Sequence, residues 1–239
     1  MYLIIDAGNT CLKHFVFEND DLLIKNKIDY ETFFSNKVLE NYPIDKTIIC
    51  NVSRHSTQAI AEQFSIDSYL EFTHKTKIPI YNNYDTPETL GLDRLAAAIG
   101  AEHIMPHKNK VIIDMGTAIT IDFLDETSTF QGGNISLGIS ARFQALAEYT
   151  GKLPLVTPQE TTSLYGKNTI DAINNGVISG VCNELSTYIN IYQSQYQDVA
   201  FFLTGGDSLF FEKRQKNAIF ACENLVAIGL LSVLKFNEK

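Results

Sequence analysis

An apolar strand that runs into the pattern Asp-x-Gly occurs twice in this chain, and this repeat limits the folds open to it. The first copy is YLIIDAGNT at 2–10 and the second is KVIIDMGTA at 110–118. Their aspartates, Asp6 and Asp114, are separated by nearly half of the 239 residues. Strand-like segments follow each copy, and helices then alternate with strands. The repeat predicts an internal duplication, with two mixed α/β domains over 1–109 and 110–239 facing each other across a cleft.

Hydrophobic periodicity gives a coarse map of both halves. The first half is predicted to have strands at 2–5, 11–17, 22–28 and 46–50 and helices at 31–40, 57–64 and 95–104. The second is predicted to have strands at 110–114, 118–124, 129–136 and 199–204 and helices at 138–149, 168–192 and from about 222. The helix at 95–104 is rich in small residues, so we expect it to pack closely on a neighbouring element.

Charge and composition exclude several classes of protein. The formal net charge of −9 argues against nonspecific nucleic-acid binding, which needs clustered Lys and Arg. The longest apolar run, LVAIGLLSVL at 225–234, is too short to span a bilayer. The cysteines form no CxxC pair, which is typical of reduced thiols; they are Cys11, Cys50, Cys182 and Cys222. We therefore expect a cytoplasmic protein with no membrane or nucleic-acid partner.

The two Asp-x-Gly turns carry groups that suit a phosphate ligand. The carboxylate can bind a cation or its hydration shell, and the glycine lets the backbone approach closely. Exposed amides and Asn or Thr side chains can donate to phosphate oxygens. Either turn alone is more simply a hairpin connection, but the pair favours a clamp on a polyphosphate and its metal. Neither a GxxxxGK[ST] loop nor a GxGxxG turn after a strand occurs.

Two further polar turns carry reactive groups. In LTGGDS (203–208), the two glycines permit flat approach of a ring or sugar, and a helix is expected to begin at Asp207. The alternative is a simple strand-to-helix turn with an N-cap. In GLDR (91–94), Asp93 can serve as a general base and Arg94 can bind a carboxylate in a bidentate manner. The alternative there is a helix start with a surface ion pair.

Seven ordered motifs resemble those of the type III pantothenate kinase family. They are DAGNTCLK (6–13), NNY (82–84), GLDR (91–94), DMGTAITID (114–122), GGNISLG (132–138), NTIDAINNG (168–176) and LTGGD (203–207). The resemblance covers nearly the whole chain and implies the fold of the acetate kinase, sugar kinase, Hsp70 and actin superfamily, with duplicated ribonuclease H-like domains. Leu137 departs from the family pattern, which has a proline there.

The resemblance implies phosphorylation of the primary hydroxyl of pantothenate by ATP, giving 4'-phosphopantothenate in the first step of coenzyme A biosynthesis. By similarity Asp93 is the catalytic base, and the pantothenate contacts are Tyr84, Gly91, Leu92, Asp93, Arg94 and Thr169. The ATP site takes in Asp6, Ala7, Gly8, Asn9, Thr10, Cys11, Leu12, Lys13 and Thr117, to which the glycine turn adds Gly205 and Gly206. Asp114 is expected to bind a monovalent cation, potassium or ammonium, and Asp6 to organise magnesium through water. Family members are homodimers with the pantothenate site near the interface.

Other functions remain open on the residues alone. Another small-molecule kinase or phosphatase of the same superfamily would share this fold, because fold does not fix substrate. A non-catalytic ATP-dependent switch or filament protein would also keep the paired turns. The GLDR motif favours an enzyme, because a switch needs no Asp-Arg pair beside an acceptor pocket. A nucleic-acid-binding regulator is disfavoured by the charge of −9.

Overall fold

The computed structural model describes residues 1–35, 42–159, 163–208, 211 and 219–238. The chain divides into two compact units. The first comprises Met1–Pro106, Ser128–Gln131 and Asn224–Lys239, and the second comprises His107–Thr127 and Gly132–Glu223. The main break falls close to the expected boundary after residue 109. The C-terminal segment from Asn224 departs from that expectation, because it groups with the first unit.

The first unit contains a five-stranded sheet. Its strands are β1 (Tyr2–Ala7), β2 (Cys11–Glu18), β3 (Asp21–Asp29), β4 (Lys46–Asn51) and β5 (Leu70–Phe72). They lie in the order β3-β2-β1-β4-β5. The first three strands form antiparallel pairs, whereas β4 is parallel to both β1 and β5. This arrangement confirms the three opening strands expected from the sequence.

The sheet of the second unit repeats this order. Its strands are β7 (Lys110–Met115), β8 (Ala118–Leu124), β9 (Thr129–Leu137), β10 (Ala200–Thr204) and β11 (Ile219–Ala221). They lie in the order β9-β8-β7-β10-β11, with β7 antiparallel to β8 and β10 parallel to both β7 and β11. A two-residue strand, β6 (Tyr81–Asn82), pairs with Thr129 and Phe130 at the start of β9. These first residues of β9 are grouped with the first unit. The matching strand order confirms the predicted duplication.

Six α-helices and one short 3-10 helix (Pro87–Thr89) complete the described elements. The α-helices are α1 (Tyr30–Ser35), α2 (Thr57–Gln63), α3 (Leu92–Ile104), α4 (Ile139–Tyr149), α5 (Thr169–Gln195) and α6 (Leu225–Phe236). Of the helix predicted over 31–40, residues 36–40 lie outside the described residues, as does most of the helix expected to begin at Asp207. Helix α3 begins three residues earlier than predicted, so the GLDR motif enters its first turn instead of preceding it.

Helix α3 packs on α6 with very close backbone approach. A Cβ built on Gly100 would lie 2.2 Å from the carbonyl oxygen of Leu225, and one built on Gly229 would lie 1.8 Å from that of Ala96. Larger residues at either position would drive the two helices apart. This contact confirms the expectation from the small residues of α3, and it anchors the helix whose first turn carries Asp93 and Arg94.

None of the helices in the described part of the chain has the length and apolar character needed to span a bilayer.

Candidate active site

The first Asp-x-Gly turn is a tight connection between β1 and β2. Ala7 faces Leu12 in the antiparallel register, and the Gly8 amide donates to the Cys11 carbonyl at 3.1 Å. Asn9 and Thr10 at the tip are exposed. The turn therefore presents polar side chains to solvent at the end of a buried strand, as a phosphate-binding turn requires.

Asp6 lies one residue before the end of β1, not in the loop, and Lys13 faces it on β2. The Lys13 Nζ atom is 3.8 Å from Oδ2 of Asp6. Burial raises the pKa of Asp6 from 3.8 to about 6; the Lys13 ammonium opposes the rise, and the negative charge of Asp93 adds to it. A buried carboxylate whose pKa stays raised despite the Lys13 ammonium suits a further positive charge, such as a hydrated metal ion.

The charge of Asp93 reaches a second group at the same place. Cys50 on β4 lies beside Asp6 in the parallel register. Burial raises the pKa of its thiol well above the ordinary value, and both Asp6 and Asp93 add to the rise. The first turn of α3 thus lies near the ends of β1 and β4, where ligands of open α/β sheets bind. The structure brings together the predicted base and the predicted phosphate strand.

Gly91 leaves room for the carboxylate of Asp93. Gly91 is the N-cap residue of α3, and a Cβ on it would lie 2.6 Å from Oδ1 of Asp93. The same oxygen accepts a hydrogen bond of 2.9 Å from the backbone amide of Arg94. A carboxylate in the first helical turn is also favoured by the helix dipole. The glycine of the GLDR motif therefore permits the position that the Asp93 side chain occupies.

Arg94 is buried, with 6% of its surface exposed, so GLDR starts a helix as the alternative expected, but its arginine is not a surface residue. Its guanidinium carbon lies 5.7 Å from the ring centroid of Tyr84, within the range of a cation–π contact. The backbone amide of Tyr84 is held by the Asn82 side chain at 3.0 Å. Two predicted pantothenate contacts from distant parts of the sequence thus lie side by side.

In the second unit, two segments of the predicted nucleotide site, the second Asp-x-Gly turn and the glycine turn, meet at the end of β7. Asp114 lies one residue before the strand end, as Asp6 does in β1, and faces Thr120 on β8. Gly205 has a φ of 92°, and a Cβ on it would lie 2.5 Å from Oδ1 of Asp114. The Asp207 amide donates to the Met115 carbonyl at 3.0 Å, so the glycine turn, which includes Gly206, packs on the second Asp-x-Gly turn.

Thr117 in that second turn is tied to the start of α4. Its carbonyl accepts a hydrogen bond of 3.0 Å from the Gly138 amide, and a Cβ on Gly138 would lie 2.6 Å from the same oxygen. Leu137, the departure from the family pattern, is the last residue of β9 and is exposed. Gly138 therefore anchors this loop to the phosphate turn without the proline.

Thr169 lies apart from the other predicted pantothenate contacts in the sequence and belongs to the second unit. It is the first residue of α5 and follows the N-cap Asn168, whose side chain accepts from the Asp171 amide at 2.9 Å. A cavity of ≈ 800 Å³ takes in Thr169 and is otherwise mostly apolar; it is lined by Leu137, Leu146, Tyr149, Leu153, Ile173 and Val177 among others. Thr169 is thus a polar group at the edge of an apolar surface.

No group of three or more His, Cys, Asp or Glu side chains in the described part of the chain is arranged to hold a metal ion. A cation at Asp6 or Asp114 would therefore take its remaining ligands from water, backbone carbonyls or the nucleotide.

Sequence reasoning missed Tyr30, whose hydroxyl donates to the Gly8 carbonyl at 2.6 Å. No local motif marks this tyrosine.

Solved structures with the same architecture define the class of protein. A candidate Baf family transcriptional activator from Campylobacter jejuni aligns with a TM-score of 0.66 and 22% identity, covering 99% of this chain and 98% of the other. A candidate 2-dehydro-3-deoxygalactonokinase from Sinorhizobium meliloti aligns with a TM-score of 0.58 and 14% identity, covering 99% of each chain. The repeated units and these neighbours define an α/β protein of the actin-like ATPase and sugar-kinase fold.

Sequence comparison narrows this class to one family. The model of the type III pantothenate kinase family matches residues 2–190. A type III pantothenate kinase from Azobacteroides pseudotrichonymphae is 38% identical over 248 residues, which covers the whole chain and 98% of that relative. The chain belongs to the type III pantothenate kinase family, whose members catalyse the first step of coenzyme A biosynthesis. The family-level expectation from the seven motifs is confirmed.

Proposed function

We propose that this pantothenate kinase transfers the γ-phosphoryl group of ATP to the primary hydroxyl of pantothenate, with Asp93 as the general base. The main support is that Asp93 lies near enough to Asp6 for the negative charge of Asp93 to raise the pKa of the buried Asp6 carboxyl. The base for the acceptor hydroxyl and the strand that leads into the phosphate turn therefore share one site. Phosphoryl transfer depends mainly on such positioning and on charge neutralisation.

The proposed transfer forms one bond to the γ-phosphorus, breaks another and moves one proton. The hydroxyl oxygen of pantothenate attacks the γ-phosphorus while its proton passes to a carboxylate oxygen of Asp93. The bond from the γ-phosphorus to the bridging oxygen breaks, and ADP leaves with that oxygen. Asp93 then returns the proton to solvent. The first-turn position of Asp93 leaves its carboxylate partly exposed, which this proton exchange requires.

The proposed ATP contacts are on the turns of each unit. In the first, the turn from Gly8 to Thr10 donates to phosphate oxygens, and Lys13 supplies a positive charge beside it. In the second, Thr117 and the glycine turn at Gly205 and Gly206 bind the nucleotide. The remaining predicted contacts, Ala7, Cys11 and Leu12, lie at the ends of β1 and β2 and keep the first turn in register.

The carboxylates fit the two proposed cations. The raised pKa of Asp6 comes mainly from burial, and hydrated magnesium on the phosphates would stabilise its ionised form. Magnesium would supply charge neutralisation for the transferred group. Asp114 would hold potassium or ammonium, because Gly205 brings backbone close to its carboxylate. Both assignments are proposals on these residues.

Pantothenate is proposed to lie with its hydroxyl at Asp93 and its carboxylate at Arg94. The burial of Arg94 beside Tyr84 supports this orientation, because a guanidinium held in place by packing keeps its planar donors aligned. Gly91 and Leu92 complete the same turn. Thr169 remains a proposed pantothenate contact on the resemblance to the family alone.

We also propose that the enzyme is a cytoplasmic homodimer. The second unit exposes several large apolar side chains, and two of them, Leu137 and Tyr149, line the cavity that includes Thr169. The others are Ile135, Leu155, Leu164, Tyr165 and Ile170. Exposed patches of this kind favour a protein interface. Sedimentation of the wild type and of Tyr149→Glu tests the dimer, because a charge in the interface should give monomers. The charge of −9 supports partners other than nucleic acid.

A coupled assay of ADP release tests the activity directly. With ATP, magnesium and potassium present, we expect ADP only when pantothenate is added. Slow ADP release that pantothenate does not accelerate would instead favour the non-catalytic switch. Phosphorylation of a different alcohol in its place would favour another kinase of the superfamily.

A further inference from the structure

The hydroxyl of Tyr30 is bonded directly to the first phosphate turn. Tyr30 is the first residue of α1, and its Oη atom donates a hydrogen bond of 2.6 Å to the carbonyl oxygen of Gly8. Gly8 also donates its own amide to Cys11, so both polar groups of this glycine are engaged. The orientation of the turn backbone thus depends on a side chain from another element.

The bond to Gly8 fixes the direction of the next amide. Among the described residues no peptide bond is cis. In a planar trans peptide, the carbonyl of one residue and the N–H of the next point in opposite directions. With the Gly8 carbonyl held toward Tyr30, the N–H of Asn9 points away from Tyr30. Asn9 is exposed at the turn tip, where a phosphate oxygen can accept this bond.

Packing holds Tyr30 in place. Its ring lies 4.3 Å from the ring of His55 and 6.3 Å from that of Phe34, nearly parallel to the latter. Ser53 contacts its hydroxyl, and the Val52 amide donates to Ala7 at 3.0 Å, so the segment after β4 is tied to the same turn. Burial raises the pKa of the Tyr30 phenol above 10, with the Asp6 charge adding to the rise, so the phenol stays a donor near neutral pH.

We propose that Tyr30 is a positioning residue for nucleotide binding: its bond to Gly8 aims the Asn9 amide at a phosphate of ATP. The inference rests on the proposed function of the first turn. It assigns to a residue outside every motif the task of preorganising a backbone donor. Tyr30 itself touches neither substrate.

The decisive variant is Tyr30→Phe, which removes the hydroxyl and keeps the ring. We expect the KM for ATP to rise about 5- to 10-fold, the loss typical of one hydrogen bond, while the KM for pantothenate stays within about 2-fold. The matched control is Tyr192→Phe, which removes a half-buried phenol that packs on Phe123 in the second unit. That control should leave both constants unchanged.

Calorimetric titration with ATP, without pantothenate, separates this inference from the proposed function. If the wild type binds ATP but phosphorylates another alcohol, the proposed acceptor is wrong and Tyr30→Phe must still weaken ATP binding. An ATP affinity equal to that of the wild type, or an equal rise in both KM values, overturns the role of Tyr30. If Tyr30→Phe does not fold, Asn9→Pro, which removes the backbone N–H that the bond is proposed to aim, must show the same selective loss of ATP affinity, and an affinity equal to that of the wild type overturns the inference.

Discussion

The negative charge of Asp93, in the first turn of α3, adds to the rise that burial causes in the pKa of Asp6, near the end of β1. Asp93 thus opposes the ionisation of Asp6 within the same unit, and Lys13 partly relieves it. Like charges in a buried site raise the cost of the ionised form. The ionised form of Asp6 is therefore disfavoured in the free protein, and a cation bound beside it would stabilise that form.

The first prediction concerns stability. The pKa of Asp6 is about 6 in the folded state, whereas its ordinary value is 3.8. Between pH 3.8 and about pH 6 the folded state therefore keeps the Asp6 carboxyl protonated when the unfolded state does not. Asp6 therefore destabilises the protein above about pH 6, and this effect disappears below about pH 4. We expect Asp6→Asn to raise the free energy of unfolding at pH 7.5 by up to about 3 kcal/mol and to have little effect at pH 4.

Urea unfolding at the two pH values measures this difference. The matched control is Asp198→Asn, which removes an exposed carboxylate paired with Lys108 and should change stability by less than about 1 kcal/mol. A difference between Asp6→Asn and the wild type that is the same at both pH values would contradict the raised pKa. The variant should also bind ATP with magnesium poorly, whatever its stability.

The second prediction is that Asp93→Asn abolishes transfer while ATP still binds. Loss of a general base lowers kcat by about 10²–10⁴-fold. The substitution also removes a charge that raises the pKa of Asp6, so the pKa of Asp6 should fall, which NMR titration can follow. The control is Glu88→Gln, which removes the charge of an exposed carboxylate in the turn before α3. Near wild-type turnover in Asp93→Asn would exclude Asp93 from the mechanism.

Local patterns were enough to predict eight of the eleven described strands, the duplication and the family, but they missed the short strands β5, β6 and β11. The hairpins around Gly8 and Gly116 follow from apolar runs broken by turn residues, and the matching sheet orders bear this out. The proximity of Asp93 to Asp6 and the bond from Tyr30 to Gly8 could not be read in this way, because they depend on how α3 and α1 pack. The return of α6 to the first unit depends on the contact of Gly100 with Gly229, which links residues far apart in sequence.

The third prediction uses the glycine that makes room for the base. In Gly91→Ala, the new methyl group would meet Oδ1 of Asp93 at 2.6 Å, so the carboxylate must move. We expect kcat to fall about 10-fold or more, because small displacements of reacting groups are costly, with little change in the KM for ATP. Gly180→Ala in α5 is the control, since nothing lies within 4 Å of its Cβ. Unchanged kcat in Gly91→Ala would mean that this position of Asp93 is not the reactive one.

The fourth prediction is dependence on a monovalent cation at Asp114. Replacing potassium with sodium should collapse activity, and Asp114→Ala should weaken both ATP binding and turnover, because the cation would link the carboxylate to phosphate. Gly205→Ala should have a milder effect of the same kind, since its methyl group would lie 2.5 Å from the Asp114 carboxylate. Rates that are equal in sodium and potassium would refute the assignment.

The fifth prediction concerns how pantothenate is oriented. Arg94 is buried beside Tyr84 and follows the proposed base directly in α3. A guanidinium binds a carboxylate through two parallel hydrogen bonds, and lysine cannot reproduce this planar arrangement. We therefore expect Arg94→Lys to raise the KM for pantothenate at least 10-fold and to leave the KM for ATP within about 2-fold.

The alcohol analogue of pantothenate, in which the carboxylate is replaced, separates recognition from packing. The wild type should phosphorylate this analogue poorly, and Arg94→Lys should lose little further activity toward it, because the contact it removes is already absent. A variant whose activity falls equally with both acceptors would show that Arg94 only supports the first turn of α3. The same conclusion would follow if the wild type used the neutral analogue as well as pantothenate. Thermal unfolding of the variant, compared with the wild type, reports how far loss of the buried Arg94–Tyr84 contact disturbs the fold.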